Sequence, residues 1–227
     1  MIKLKNFSHN ILNNISFELQ HNQNLIILGS NGAGKSTLAK VLCGIIPSPI
    51  LIEGEPLKYH TNRKKLINYI PPKMEIFDEY LTLEEYLELS KINTLLEVKN
   101  SLKLLEIEHL KSKPCKQLSS GEQQLTMLAT ALLHNAKVTI FDEPTANLDP
   151  QKSKNIFSIL KSKLFHQKII ITHDLNLAYR LGYNILYMKE GKIDFYDCSK
   201  SFFEEYNLHK YFGNSVKKVD NFIMVNL

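Results

Sequence analysis

Long apolar runs are missing from this chain. Its apolar stretches at Leu25 to Leu28 and Ile169 to Ile171 are far too short to span a bilayer, and the opening residues MIKLKNFSHNILNN hold no apolar core of the kind a secretory leader carries. Cysteine is scarce. Cys43, Cys115 and Cys198 are odd in number and far apart, which argues against a disulfide framework and for a reducing compartment. The eight histidines show no metal-ligand spacing, and no internal repeat or low-complexity segment is present. The net charge of +5 comes from scattered lysines with clusters at Arg63-Lys64-Lys65, Lys111/Lys113/Lys116 and Lys217-Lys218. None is interleaved with aromatics, so solvated faces explain them and no nucleic acid is expected as a partner. Together these absences predict a cytoplasmic protein that reaches a membrane only through a partner.

At 227 residues the chain is long for one compact domain and short for two full ones, so a core with a sizeable insertion is expected. The stretch Leu25 to Thr37 reads LIILGSNGAGKST, a short apolar run, a glycine-rich turn and then a lysine with two hydroxyls. Gly29, Gly34, Lys35 and Ser36 complete the pattern Gly-x4-Gly-Lys-Ser/Thr of a phosphate-binding loop. Gly29, Gly32 and Gly34 let the backbone of Ser30, Asn31 and Ala33 bend so that successive N–H groups point inward at anionic oxygens. Lys35 brings a positive charge to the β and γ phosphates, and the Ser36 hydroxyl is placed to ligate Mg²⁺ beside Thr37. The helix predicted to follow, with Leu38, Val41, Leu42 and Ile45 at helical spacing, adds its positive N-terminal end.

Ile2 to Leu4 and Ile15 to Leu19 alternate as half-buried strands do, with a turn predicted at Asn10 to Asn14. Phe7 and His9 offer rings that could lie under an adenine base, His9 being the candidate retained, although a ring near a strand end is more often packing. Gly44, Pro47 and Pro49 stop the first helix, and Ile50 to Glu53 and Leu66 to Ile70 read as strands. From Leu81 to Leu110 the texture turns charged and helical, with Leu83, Leu87, Leu89, Leu95 and Leu102 among its apolar positions. Residues 73 to about 135 therefore read as a mostly helical insertion. It closes on Leu118-Ser119-Ser120-Gly121-Glu122, where Ser119 and Glu122 form a capping box that could equally present free N–H groups to a phosphate. Val138 to Phe141 is a buried strand ending in Asp142 and Glu143, which can respectively hold Mg²⁺ through water and polarise an attacking water. Asp149 and Pro150 lead into a helix over Lys152 to Phe165. Lys168 to Thr172 is another strand, and His173 at its end is read as a γ-phosphate contact. Ile185 to Met188 and Lys192 to Phe195 form a hairpin across Glu190-Gly191, and Asn221 to Val225 reads as a last strand.

The ordered set GSNGAGKST (29–37), LSSGEQQ (118–124), VTIFDEPTANLD (138–149) and THD (172–174) resembles the ATPase subunit of ATP-binding cassette (ABC) transporters over essentially the whole chain. The tail, with Phe202-Phe203 and Tyr211-Phe212-Gly213, is similar to importer subunits serving ferric-siderophore, haem or cobalamin uptake. The resemblance implies an α/β fold: a P-loop nucleoside triphosphatase core with a mostly parallel sheet, an antiparallel β subdomain and a helical insertion. The core would comprise 1–72 and 136–227, with 73–135 the helical subdomain carrying Ser119, Ser120, Gly121 and Glu122. It implies ATP and Mg²⁺ as cofactors, and a head-to-tail homodimer with ATP at the interface. In that dimer the phosphate loop, Asp142, Glu143 and His173 of one copy face Ser119 to Glu122 of the other, and Asp149 couples the two. Integral membrane permease subunits and an external substrate-binding protein are the further partners implied, with the chain peripheral on the cytoplasmic face.

Three departures stand out. Pro72 occupies the place of a glutamine that usually reaches the Mg²⁺ and the attacking water, and proline offers neither a side-chain carbonyl nor a backbone N–H. Ser120 stands where glycine is usual, and Leu125 where arginine is common. Pro72 and Ser120 predict normal nucleotide binding with slow or partner-dependent hydrolysis. The alternatives are a hydrolysis-impaired regulatory cassette and a non-transport cassette acting on ribosomes or DNA.

Overall fold

Alternating apolar and polar residues at the start of the chain give two antiparallel strands, β1 (Ile2–His9) and β2 (Leu12–Leu19), in the computed structural model. The structure describes every residue except Phe77, Asn147, Asn221, Asn226 and Leu227. The β1–β2 turn is tighter than expected, because β2 already begins at Leu12. Asn14 fits within it at φ +52°, beside a register shift between Phe7 and His9, as asparagine tolerates. The chain divides into two compact units, residues 1–60 with 169–227 and residues 61–168.

In the first unit, β3 (Leu25–Gly29) leads through the glycine turn into α1 (Lys35–Leu42). Leu25, Ile26 and Ile27 are wholly buried, each stabilising the fold by about 1.5–3 kcal/mol. The short strands β4 (Leu51–Ile52) and β5 (Glu55–Pro56) complete an antiparallel sheet in the order β2-β1-β4-β5.

The second unit opens with α2 (Arg63–Leu66) and β6 (Ile67–Ile70), continues through α3 (Leu83–Glu88), α4 (Val98–Leu104) and α5 (Ser120–His134), and then forms β7 (Val138–Asp142) and α6 (Pro150–Lys161). Strands β6 and β7 pair in parallel, Ile67 beside Val138 and Ile70 beside Phe141. The helical stretch is interrupted between α3 and α4, and Leu89 and Leu95, read as part of the helical apolar face, are 74% and 100% exposed. The reason is hydrogen bonding by side chains. Thr94 Oγ1 accepts from the backbone N–H of Leu96, and Asn93 Nδ2 donates to the carbonyl of Asn135, so these side chains displace helical hydrogen bonding. Helix α6 begins at Pro150, capped by Asp149, and stops before Phe165, because Ser162 Oγ bonds the Ile159 carbonyl and the Leu164 N–H. Phe165 instead packs edge-on against Phe141, ring centres 5.0 Å apart.

The chain returns to the first unit along β8 (Gln167–Ile171), followed by α7 (Leu175–Leu181), β9 (Asn184–Lys189) and β10 (Lys192–Asp197). Here the strand order is β10-β9-β3-β8, with β3 parallel to both neighbours. A strand flanked this way is buried on both faces, which is why β3 is continuously apolar. The β9–β10 turn places Glu190 at φ +48° and Gly191 at φ +75°, as a two-residue hairpin requires. The tail forms α8 (Ser199–Phe202), α9 (Glu205–Phe212) and the hairpin β11 (Val216–Val219) with β12 (Phe222–Val225). Stacking of Phe202 on Tyr211 and packing of Tyr187 against both anchor it. Asn221, expected to start the last strand, lies outside the described residues.

Candidate functional site

Lys35 is the most constrained charge in the first unit. It is 8% exposed, and its Nζ donates to the carbonyl oxygens of Gly29 at 2.8 Å and Ser30 at 3.0 Å, so the ammonium is clasped inside the glycine turn. Burial of a lysine is tolerated only with such partners. Gly29 adopts φ +150°, and a Cβ there would lie 2.4 Å from the Met188 carbonyl oxygen, so no side chain fits. Gly34, at φ +99°, is the N-cap of α1. Ser30, Asn31 and Gly32 are exposed along the turn, Ala33 is buried, and Ser36 and Thr37 lie in the first turn of α1, Ser36 exposed and Thr37 half-buried.

His173 follows directly on β8. Because Ile27 of β3 pairs with Ile171 of β8, the glycine turn and His173 leave the same C-terminal edge of parallel strands, where open α/β sheets bind ligands. His173 is exposed there, while the next residue, Asp174, caps α7 by accepting from the Leu177 N–H. His9 is exposed at the end of β1 and stacks on the buried Phe7, ring centres 6.2 Å apart. The turn just beyond it packs on the glycine loop, since a Cβ at Gly34 would fall 2.8 Å from Leu12.

The second unit brings the remaining residues to two neighbouring places. At the ends of β6 and β7, Asp142 is 3% exposed and its Oδ2 accepts a hydrogen bond from Tyr69 Oη at 2.8 Å. Glu143 comes next at φ +52°, a left-handed conformation costing an L-residue about 1–2 kcal/mol, in a turn closed by the Ala146 N–H on its carbonyl. Strain of this kind collects at functional sites. Pro72 offers its backbone carbonyl to Gln124 Nε2 at 3.1 Å.

At the start of α5 the capping box is formed reciprocally. Ser119 Oγ accepts from the Glu122 N–H, and Glu122 Oε2 accepts from the Ser119 N–H at 2.7 Å and from Lys113 Nζ at 2.9 Å. Burial opposes ionisation of Glu122, yet the bonds from Lys113 and Ser119 prevail and hold its carboxyl below the usual range. Ser120 is exposed at the first helical position. Gly121 is buried under Lys152, whose Cδ would lie 2.3 Å from a Cβ at that position. Lys152 Nζ in turn pairs with Asp149 at 3.2 Å, so the starts of α5 and α6 are held side by side. Asn147, within the VTIFDEPTANLD motif, lies outside the described residues.

Two participants were not read from the sequence: Tyr69 and Lys152. Tyr69 reaches Asp142 and Lys152 covers Gly121, each far along the chain, and nothing in local spacing marks either contact. Among the described residues no cluster of three histidine, cysteine or acidic side chains could hold a metal by itself, and no helix is long and apolar enough to cross a membrane. The oxygen donors that are present, the Ser36 hydroxyl and the Asp142 carboxylate, are of the hard type that Mg²⁺ takes.

Residues 12–146 match the family described as ABC transporter. The molybdate/tungstate import ATP-binding protein WtpC of Methanocaldococcus jannaschii is 35% identical over 192 residues, covering 80% of this chain and 64% of that protein. The zinc import ATP-binding protein ZnuC of Wigglesworthia glossinidia brevipalpis is 38% identical over 175 residues, 74% of this chain and 72% of that protein. Among solved structures, cbiO1 from Clostridium perfringens, part of the ABC transporter complex cbiONQ, superposes with a TM-score of 0.77 at 28% identity over 92% of each chain.

Proposed function

Since the chain belongs to the ABC transporter family, as one of its ATP-binding members, we propose that it hydrolyses ATP to drive a membrane importer of a metal or metal-chelate cargo. The observation that carries the nucleotide chemistry is the clasp of Lys35 inside the glycine turn at the start of α1. The turn's N–H groups and the helix end supply fixed partial positive charge, and Lys35 exchanges carbonyl partners for phosphate oxygens. When bound, Mg²⁺ supplies charge neutralisation on the β and γ phosphates. Ser36 and Asp142 would hold it, Glu143 would polarise the attacking water, and His173 would contact the γ-phosphate.

Two copies would join head to tail, with Ser119 to Glu122 of one copy closing on the nucleotide held by the phosphate loop of the other. ATP then shifts the open–closed equilibrium through contacts it makes only in the closed dimer. Support for a membrane partner comes from the helical stretch, where Tyr80, Leu89 and Leu95 are largely exposed. The cargo reading rests on relatives named for zinc and for molybdate or tungstate import. Iron-siderophore, haem and cobalamin remain cargoes of the same reading.

A second reading is favoured by Pro72: a cassette that binds ATP as a regulator and scarcely hydrolyses it. Phosphate release by the purified chain, with and without its reconstituted permease, separates the two. Release that the permease stimulates supports the transport ATPase. Tight ATP binding with no release under either condition supports the regulator.

A further inference from the structure

Asp142 is read above as the carboxylate of the Mg²⁺ site, and the side chain that holds it belongs to none of the sequence motifs. In the parallel pair β6–β7, Tyr69 stands beside Ile140. Side chains two apart on a strand share a face, so Ile140 and Asp142 lie in one row. The long phenol of Tyr69 runs along that row and donates its Oη–H to Asp142 Oδ2 at 2.8 Å. Asp142 is 3% exposed, so a carboxylate there depends on protein donors for much of what water would otherwise supply.

An ionised carboxylate accepts at both oxygens. Binding Oδ2 to a phenol fixes the plane of the group and reserves Oδ1 for a cation or a water on a cation. Three residues further along the same segment, Pro72 offers no polar side-chain atom, whereas Tyr69 reaches the Asp142 carboxylate through its side chain.

We propose that Tyr69 is a positioning residue for the Mg²⁺ site, orienting the Asp142 carboxylate through its hydroxyl. The proposal rests on the reading of Asp142 as a Mg²⁺-holding group. Outer partners of this kind typically govern about 10- to 100-fold in metal affinity.

The test is Tyr69→Phe in the full chain, which removes one oxygen and keeps the ring. Mn²⁺ binding to the ATPγS-loaded protein is followed by electron paramagnetic resonance, and nucleotide affinity is measured separately in EDTA. The expected result is a shift of about tenfold in Mn²⁺ half-saturation, with unchanged affinity in EDTA. Turnover should recover toward the parent value at high Mg²⁺. Tyr69→His, which keeps a ring donor, should recover part of the shift; together with Tyr69→Leu it serves the same comparison if the phenylalanine variant does not fold. An unchanged Mn²⁺ titration in Tyr69→Phe overturns the proposal. Asp142→Asn, measured alongside, tells the two failures apart. If it weakens Mn²⁺ binding while Tyr69→Phe does not, the positioning role alone is wrong. If it too leaves Mn²⁺ binding unchanged, the metal reading of Asp142 falls and takes the proposal with it.

Discussion

Gln124, on the second turn of α5, donates its side-chain amide to the carbonyl oxygen of Pro72 at 3.1 Å. Gln124 is 7% exposed, so this bond fixes the loop leaving β6 to the helix that begins at Ser120. A glutamine side chain at position 72 would add a carbonyl oxygen at this place without disturbing the backbone bond.

Pro72→Gln is therefore expected to raise the steady-state rate of phosphate release by about tenfold, as restored positioning of a reacting group does. The measurement is turnover of the variant beside the parent at saturating ATP. No gain would count against the proposal that Pro72 slows hydrolysis. Gln124→Ala should cost about 1 kcal/mol in denaturant unfolding, the usual value of one such bond.

Glu143→Gln keeps the shape of the side chain and removes its negative charge. It should lower turnover by about 10²-fold or more while leaving ATP binding intact. With ATP present, size-exclusion chromatography should show a stable dimer. A monomer retaining parental activity would contradict the role given to Glu143.

Gly29→Ala places a methyl 2.4 Å from the Met188 carbonyl oxygen, at a φ of +150° that an L-residue resists. Strand β9 cannot retreat without breaking its pairing with β3, where Gly29 stands beside Met188. The expected loss is about 2–4 kcal/mol in denaturant unfolding, together with loss of nucleotide binding. Gly32→Ala, where nothing lies within 4 Å of the added methyl, meets the positive φ of +79° but no clash and should lose distinctly less.

The Glu122 carboxyl, held below its usual range against the opposing effect of burial, predicts a pH dependence. Its folded-state affinity for a proton is lower than in the unfolded chain. Its contribution to stability is therefore fully present above the ordinary glutamate value of about 4.3 and is lost as pH falls through the lower folded value. Glu122→Gln should flatten this part of the stability–pH curve. An identical acid limb in the variant and the parent would refute the linkage.

What the sequence determined by itself is whatever depends on near neighbours. The glycine turn, the Ser119–Glu122 capping box, the Glu190-Gly191 hairpin and the buried runs of β3 and β7 each follow from residues a few positions apart. Backbone sterics and local hydrogen bonds act over that distance. The interruption between α3 and α4 combines one short-range bond, Thr94 with Leu96, and one long-range bond, Asn93 with Asn135, and apolar spacing through Leu89 and Leu95 masked it. Tertiary structure alone decided that Tyr69 meets Asp142 across 73 positions, that Lys152 covers Gly121, and that β3 lies between β8 and β9. Those pairings depend on strand register and helix placement, which minimise exposed apolar surface over a whole unit, and no short window of residues contains that balance.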